Sequence, residues 1–311
     1  MCGPGVILGS YQLTVSVSDT ETVNCECGRF KGYAARMDAG TSPIAHVCVT
    51  CGVQTRPTAV PPVHCPICED ERQYVGHGGQ RWTTAEVLRD RHVVTLTPAE
   101  PGLFQVVVQP RFAIGQRPFI VQTDDGNIMW DCTAVLTEAI VAAIGAIGGI
   151  SAIAISHPHF CGAMVDWSHA FDGVPIFVSS ADRQWVMRPD PVLHFWEGDR
   201  RPLMGGVSVV RCGGHFDGSS VLHWPAGADG RGVLLSGDTI AVTDDRRWVS
   251  VMRSYPNLIP IGAGALRRIE RALDGLRYDR IYGGWEHDVV DRDASDVVAR
   301  SIARYRAAIA E

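Results

Sequence analysis

From Ala139 to Ile155 the chain carries no charged side chain, although Glu138 and His157 flank the run closely. A run this long and this apolar has to leave water, either across a bilayer or inside a protein core. Gly145, Gly148 and Gly149 divide it, which favours a buried helix over 135–147 followed by a buried strand over 150–155. A strand apolar on both faces needs a layer on each side of it, so the run points to an α/β architecture. Where the strand ends the sequence turns polar: Ser156, His157, Pro158, His159, Phe160, Cys161, Gly162. Read as extended chain, His157 and His159 project to the same side, where two imidazoles can converge on one ion. Taken alone, they are equally a pair of turn histidines.

The remaining elements follow from periodicity and turn residues. A short helix is predicted within 82–91, with strands over 93–96, 104–108 and 118–122. Residues 119–131 read as a β-hairpin around Asp125-Gly126. Helices follow at 163–170 and 181–186, with a strand at 176–178 between them. Pro-containing, charged loops are expected over 188–202, then strands at 207–211, 220–224 and 233–235. The chain closes with a helix at 265–276, a strand at 280–282 and a helix at 294–309. The last helix sets Val298, Ile302, Tyr305 and Ile309 on one stripe. Strands followed by helix–strand alternation, twice over, suggest two sheets face to face with helices outside: a four-layer αββα sandwich.

A net charge of −6 and a pI near 6.0 provide no basic field for phosphate backbones, so nucleic acid is not an expected partner. Met1 to Val17 lacks the basic start and apolar core of a secretory leader, which makes the cytoplasm the expected compartment. Ten cysteines in a reducing compartment hold metal or pack more readily than they pair as disulfides. Four of them form Cys48-Val49-Thr50-Cys51 and Cys65-Pro66-Ile67-Cys68, with 13 residues between the pairs. Each pair offers two thiolates to a tetrahedral ion, and Gly52 suits the tight turn beneath the first. A structural zinc on these four cysteines is expected, in a small ribbon-like module over 41–75. His46 and His64 stand beside it. Residues 1–40, with Cys25 and Cys27, show no sustained period, and Met37 is an alternative start. The rest, 76–311, forms the expected sandwich domain.

Further ligand-type side chains stand at predicted strand ends: His215 among Gly213, Gly214 and Gly218, Asp238 after Ser236-Gly237, and His287 after Gly283-Gly284. The order H-x-H, G-H-x-x-G-S, S-G-D and a Gly-rich strand end resembles the metallo-β-lactamase fold superfamily of metallohydrolases, over roughly 93–290. That resemblance implies the αββα fold with a zinc site at one edge, held by His157, His159 and His215, with Asp238 as a bridging carboxylate and His287 at the last-motif position. Asp131 would end the early strand pair. The sequence departs from the family's H-x-H-x-D-H, since Cys161 replaces the aspartate and Gly162 the final histidine. Cys161 can still offer a thiolate and Gly162 offers nothing, so a mononuclear or asymmetric site is expected. Asp166, four residues further on, is a conceivable substitute or else a surface ion pair.

Three neutral imidazoles leave one zinc position open, where a bound water drops to a pKa near ~7 and attacks an acyl or phosphoryl centre. Asp238 would orient that water and take its proton, so Asp238, His157 and His159 are the expected catalytic residues. The sequence names no group for stabilising the leaving group; the arginines and His194 of 183–201 are candidates. His77, His92, His169, His194 and His223 have no partner at ligand spacing and are read as packed or surface residues, with His223 turned outward. Three functions stay open: a zinc hydrolase of small esters, thioesters, lactams or lactones; a degenerate metal-binding scaffold; and a phosphodiesterase relative, which the acidic balance disfavours.

Overall fold

Two sheets face each other at the centre of the protein. The computed structural model describes residues 42–310; the readings for 1–40, including Cys25, Cys27 and Met37, lie outside the described residues. The first sheet has seven strands in the order Leu193–Trp196, Ile176–Ser179, Ala152–Ala154, Ile128–Trp130, Phe119–Val121, Leu103–Gln109 and Val93–Glu100. Its first four strands run parallel and the remaining pairs antiparallel. The second has six, in the order Arg200–Pro202, Ser208–Arg211, Ser220–Trp224, Val233–Leu235, Arg280–Tyr282 and Val289–Val290.

Strand alternation builds the layers. Phe119, Val121, Ile128 and Trp130 point inward and meet Val209, Leu222, Val233 and Leu235 of the second sheet. Their neighbours Ile120, Met129 and Ile153 point outward, under Ile140 and Ile144 of helix Glu138–Gly145 and Val165 and Trp167 of helix Met164–Ala170. On the other side Val210, Val221, Leu234 and Ile281 lie beneath Leu266, Ile269 and Leu273 of helix Ala263–Leu273 and Val297, Val298 and Ile302 of helix Ala294–Ala308. Each such side chain contributes ~1.5–3 kcal/mol by leaving water. The result is the four-layer αββα sandwich. Among the described residues no helix is long and apolar enough to cross a membrane.

Several local expectations are corrected. The 119–131 hairpin forms, with Val121 opposite Ile128, so six residues join the strands rather than a two-residue Asp-Gly turn. Residues 188–202 contain two strands, each at an edge of its sheet, where proline and charge are tolerated. Residues 180–185 form a 3-10 helix. His223 is buried, its Nε2 2.8 Å from the Arg277 carbonyl.

The cysteine-bearing segment folds as a three-stranded sheet, Gln54–Thr58, Ile44–Cys48 and Trp82–Thr84, with helix Pro66–Glu69 beside it. The Thr84 side chain then accepts from Val87 N–H and caps helix Ala85–Arg91. This segment shares an apolar core with the sandwich, Val53, Cys65 and Ile67 clustering with Val135, Cys161 and Met164, and it is also hydrogen-bonded to it: Gln54 N–H donates to the Gly162 carbonyl at 3.1 Å and Arg56 N–H to that of Met187 at 3.0 Å.

Candidate metal centre

The loops that follow the carboxyl ends of four strands meet at one rim of the sandwich. Strand Ala152–Ala154 delivers His157 and His159, Ser208–Arg211 leads to His215, Val233–Leu235 to Asp238, and Arg280–Tyr282 to Gly284 and Trp285. Ligand atoms of His157, His159, His215 and Asp238 all lie within 4.8 Å of one another. His157 Nε2 is 3.4 Å from Asp238 Oδ2, His215 Nε2 is 3.8 Å from the same oxygen, and His159 Nδ1 is 3.2 Å from His215 Nε2. All four side chains are buried, with relative exposures of 1–5%.

The H-x-H geometry differs from the extended pair expected from the spacing. His157 is extended, but Pro158 opens a 3-10 turn that contains His159, because the fixed proline φ suits the first position of a helical turn. The two rings therefore stand 79° apart with centroids at 5.3 Å, and they present different nitrogens to the centre. Asp131 supports this turn from below. Its backbone takes φ 62°, and its buried carboxylate accepts from Ser156 N–H at 2.7 Å. Burial raises the Asp131 pKa well above the usual carboxylate range.

The donor set fits a cation. His215 Nδ1–H donates to the Arg253 carbonyl at 2.7 Å, leaving the Nε2 lone pair turned toward the centre. His157 Nδ1 is engaged by Ser156 Oγ at 2.8 Å. His157 Nε2 and Asp238 Oδ1 are buried without a hydrogen-bond partner among the described residues, an arrangement that is costly unless an ion satisfies both. Burial and the neighbouring imidazoles depress His159 well below its ordinary pKa, and His215 to about 3. Both are thus neutral near pH 7, as ligation requires.

Cys161 and His287 lie outside the four-residue group. Cys161 packs in the apolar core with Ile155 and Val178, where burial raises its thiol pKa. His287 is exposed on the loop after Trp285. Asp166 bonds Arg188 at 2.7 Å and Gln54 at 2.7 Å, which makes it a link to the cysteine segment. At Gly162 the backbone has φ +49°, and a Cβ would sit 2.6 Å from the Thr133 carbonyl carbon. The fold has closed over the place where a histidine side chain would begin.

A cavity of about 220 Å³ opens onto His159, His215 and Asp238, lined also by Gln73, Tyr74, Arg111, Tyr255 and Trp285. Arg111 and Trp285 line a neighbouring cavity of about 390 Å³ as well. The arginines of 183–201 are engaged elsewhere: Arg183 over Phe195, Arg188 on Asp166, Arg200 on Ser208 and Arg201 over Phe177. The His194 ring lies 5.9 Å from that of Phe177, tilted by 47°. The guanidinium at the cavity is that of Arg111, which no spacing or periodicity marks in advance.

The second cluster is formed by Cys48, Cys51, Cys65 and Cys68, whose sulfurs also lie within 4.8 Å of one another. Cys48 Sγ is 3.5 Å from Cys68 Sγ, and Cys51 Sγ is 3.8 Å from Cys65 Sγ. Hydrogen bonds from the other three hold the Cys48 thiol far below its ordinary pKa, while the same contacts raise Cys51. Four converging buried sulfurs in two knuckles suit a tetrahedral, thiophilic ion.

Comparison with known proteins agrees with this architecture. The chain is 43% identical over 262 residues to the uncharacterized protein YmaE of Bacillus subtilis (strain 168), covering 84% of this chain and 95% of that one. Among solved structures, VMB-1 at pH 5.5 matches with a TM-score of 0.51 and 15% identity, covering 69% of this chain and 97% of that one. The DIM-1 metallo-beta-lactamase matches with a TM-score of 0.50 and 13% identity, covering 69% and 98%. At such identities the likeness is one of fold. A family model described as the metallo-beta-lactamase superfamily matches residues 116–285, more than half of the chain. The chain belongs to the metallo-beta-lactamase superfamily.

Proposed function

We propose that the protein is a zinc-dependent hydrolase that works with a single ion at His157, His159, His215 and Asp238 and cleaves an ester, thioester, lactam or lactone bond of a small molecule. The observation that carries this reading is the convergence of three imidazoles and one carboxylate, three of whose buried polar atoms (His157 Nε2, His159 Nε2 and Asp238 Oδ1) lack a hydrogen-bond partner among the described residues, on a cavity open to a ligand. An ion held there supplies an acidified water and polarises the electrophile. The protein's own groups do the rest. Asp238, whose Oδ2 lies 3.4 Å from His157 Nε2 and 3.8 Å from His215 Nε2, would orient the attacking water and take its proton. His157 and His215 are held in orientation by Ser156 and the Arg253 carbonyl, so little reorganisation accompanies charge development. Arg111 and Trp285 border both cavities, and a substrate can place its remote part in the larger one, with Arg111 facing a developing negative charge.

The closure around Gly162 and the packing of Cys161 support one ion rather than two at this rim. A second zinc ion is proposed at the four cysteines. Elemental analysis of the purified chain is expected to give two zinc ions, with His159→Ala retaining one and losing turnover on an esterase, thioesterase, lactonase and phosphodiesterase panel. Retained turnover in His159→Ala refutes the catalytic assignment. A wild-type chain that holds two ions and turns over nothing on the panel favours a scaffold instead.

A further inference from the structure

The segment that leaves the four-cysteine cluster runs directly to the histidine centre. Cys68 ends the second knuckle, and after Glu69, Asp70 and Glu71 the chain reaches Arg72, which is only 7% exposed. Asp70 fixes this guanidinium from two sides, with Nε at 2.5 Å from Oδ1 and Nη2 at 2.8 Å from Oδ2, the paired geometry that best orients an arginine. So held, Arg72 lies 3.9 Å over the Phe216 ring and 5.1 Å from that of Trp185, and donates to the His215 carbonyl at 3.4 Å.

The same segment grips the other side of His215. Glu71 bonds Arg253 at 2.5 Å, and it is the Arg253 carbonyl that receives His215 Nδ1–H. Ser254 Oγ donates to the Arg72 carbonyl at 3.2 Å, and Asn257 Nδ2 donates to the carbonyls of Glu71 and Gln73 at 2.8 and 2.7 Å. Gln73 and Tyr74 then form part of the wall of the metal-facing cavity. Residues 70–74 are therefore a strap with one end fixed at the cysteines and the other closed around a single ligand.

We propose that Arg72 is the positioning residue for His215, and that through it an ion at Cys48, Cys51, Cys65 and Cys68 sets the zinc affinity of the histidine centre. The inference rests on the reading of that centre as a metal site. Groups that orient a metal ligand change metal affinity by ~10–100-fold when removed, and two sites joined through one group respond non-additively when both are perturbed.

The test is a zinc competition titration against a chromophoric chelator on the full chain, in which the class of site lost in His159→Ala identifies the histidine centre. Arg72→Ala is expected to weaken that class ~10-fold or more while the cysteine class is unchanged. The Cys65→Ser, Cys68→Ser pair is expected to weaken it similarly in the wild-type background and by less than about threefold when Arg72→Ala is already present. Wild-type affinity in Arg72→Ala overturns the proposal, as does full additivity of the two perturbations. Should the cysteine pair fail to fold, the single Cys68→Ser variant takes its place in the same cycle with Arg72→Ala. A wild-type chain with no zinc class dependent on His159 refutes the metal-site reading and this inference with it, whereas an intact class that ignores Arg72 refutes only the inference.

Discussion

Replacing Gly162 by alanine tests how firmly the fold has sealed the position next to the histidine turn. An alanine there must keep φ near +49°, which costs ~1–2 kcal/mol for an L-residue. Its Cβ would lie 2.6 Å from the Thr133 carbonyl carbon and 2.7 Å from the Cys132 and Thr133 oxygens. These are backbone atoms held by the Ala163 N–H bond to Thr133 and the Cys132 N–H bond to Phe160, so relieving the overlap costs a further ~1–3 kcal/mol. The sum, on the order of 2–5 kcal/mol, corresponds to a fall in Tm of roughly 3–8 °C for a chain of this size. Differential scanning calorimetry on the zinc-loaded protein reads it directly. Gly145→Ala is the control: it ends a helix, no atom of the described residues comes within 4 Å of the added Cβ, and helix propensity predicts a gain of up to about 1 kcal/mol. A Gly162→Ala protein that melts within about 2 °C of wild type would refute the reasoning. Gly162→His, which restores the family residue, should then add no ion, because the side chain has nowhere to start.

Three further outcomes follow from buried groups and the cysteine cluster. Asp182 is buried, accepts from Gly218 N–H at 2.8 Å, and is pushed up to about 7 by burial and by Asp217, against the pull of Arg72 and Arg211. A carboxyl raised in the folded state holds its proton there more readily than in the unfolded chain, so stability falls as pH rises between ~4 and ~7. Asp182→Asn keeps an acceptor for Gly218 and should flatten that slope, adding at most ~4 kcal/mol at pH 8, as denaturant titrations at pH 5 and pH 8 would show; an unchanged slope argues against it. Arg117 donates to the Glu286 and Gly283 carbonyls at 2.9 and 3.2 Å and to Gln105 Oε1 at 3.0 Å, so Arg117→Ala should accelerate amide exchange across 283–288 at least tenfold, the equivalent of ~1.4 kcal/mol, with exchange in helix Ala294–Ala308 unchanged. Stripping zinc by chelation should lower the Tm of wild type further than that of the Cys65→Ser, Cys68→Ser pair, since that pair has already lost one stabilising ion; equal drops would place no ion at the cysteines.

The four centre residues were legible because ligand-type side chains among glycines closed apolar runs, and strand ends in a sandwich share a rim. The αββα layering was legible because strands followed by helix–strand alternation occur twice along the chain, each half supplying one sheet and its outer helices. The turn at His159 departs from the extended pair that the H-x-H spacing suggests, because Pro158 opens a 3-10 turn there. Residues 193–196 and 200–202 hid among proline and arginine, since an edge strand needs only one paired side. Arg72 and Arg111 gave no warning at all. Arg72 sits in a charged run of ordinary appearance and meets His215 across 143 positions, a separation that no local pattern reports.

The course of residues 70–74 also limits how this protein can be divided. The family match begins at residue 116, and a fragment cut near residue 76 would keep His157, His159, His215 and Asp238 and the whole double sheet. It would also lose one wall of the cavity, the guanidinium above Phe216 and two of the hydrogen bonds to Asn257. The cysteine segment is thus no interchangeable cassette at the front of a self-sufficient catalyst. Replacing that segment with a foreign one has to restore the complement of Arg253, Ser254 and Asn257 as well.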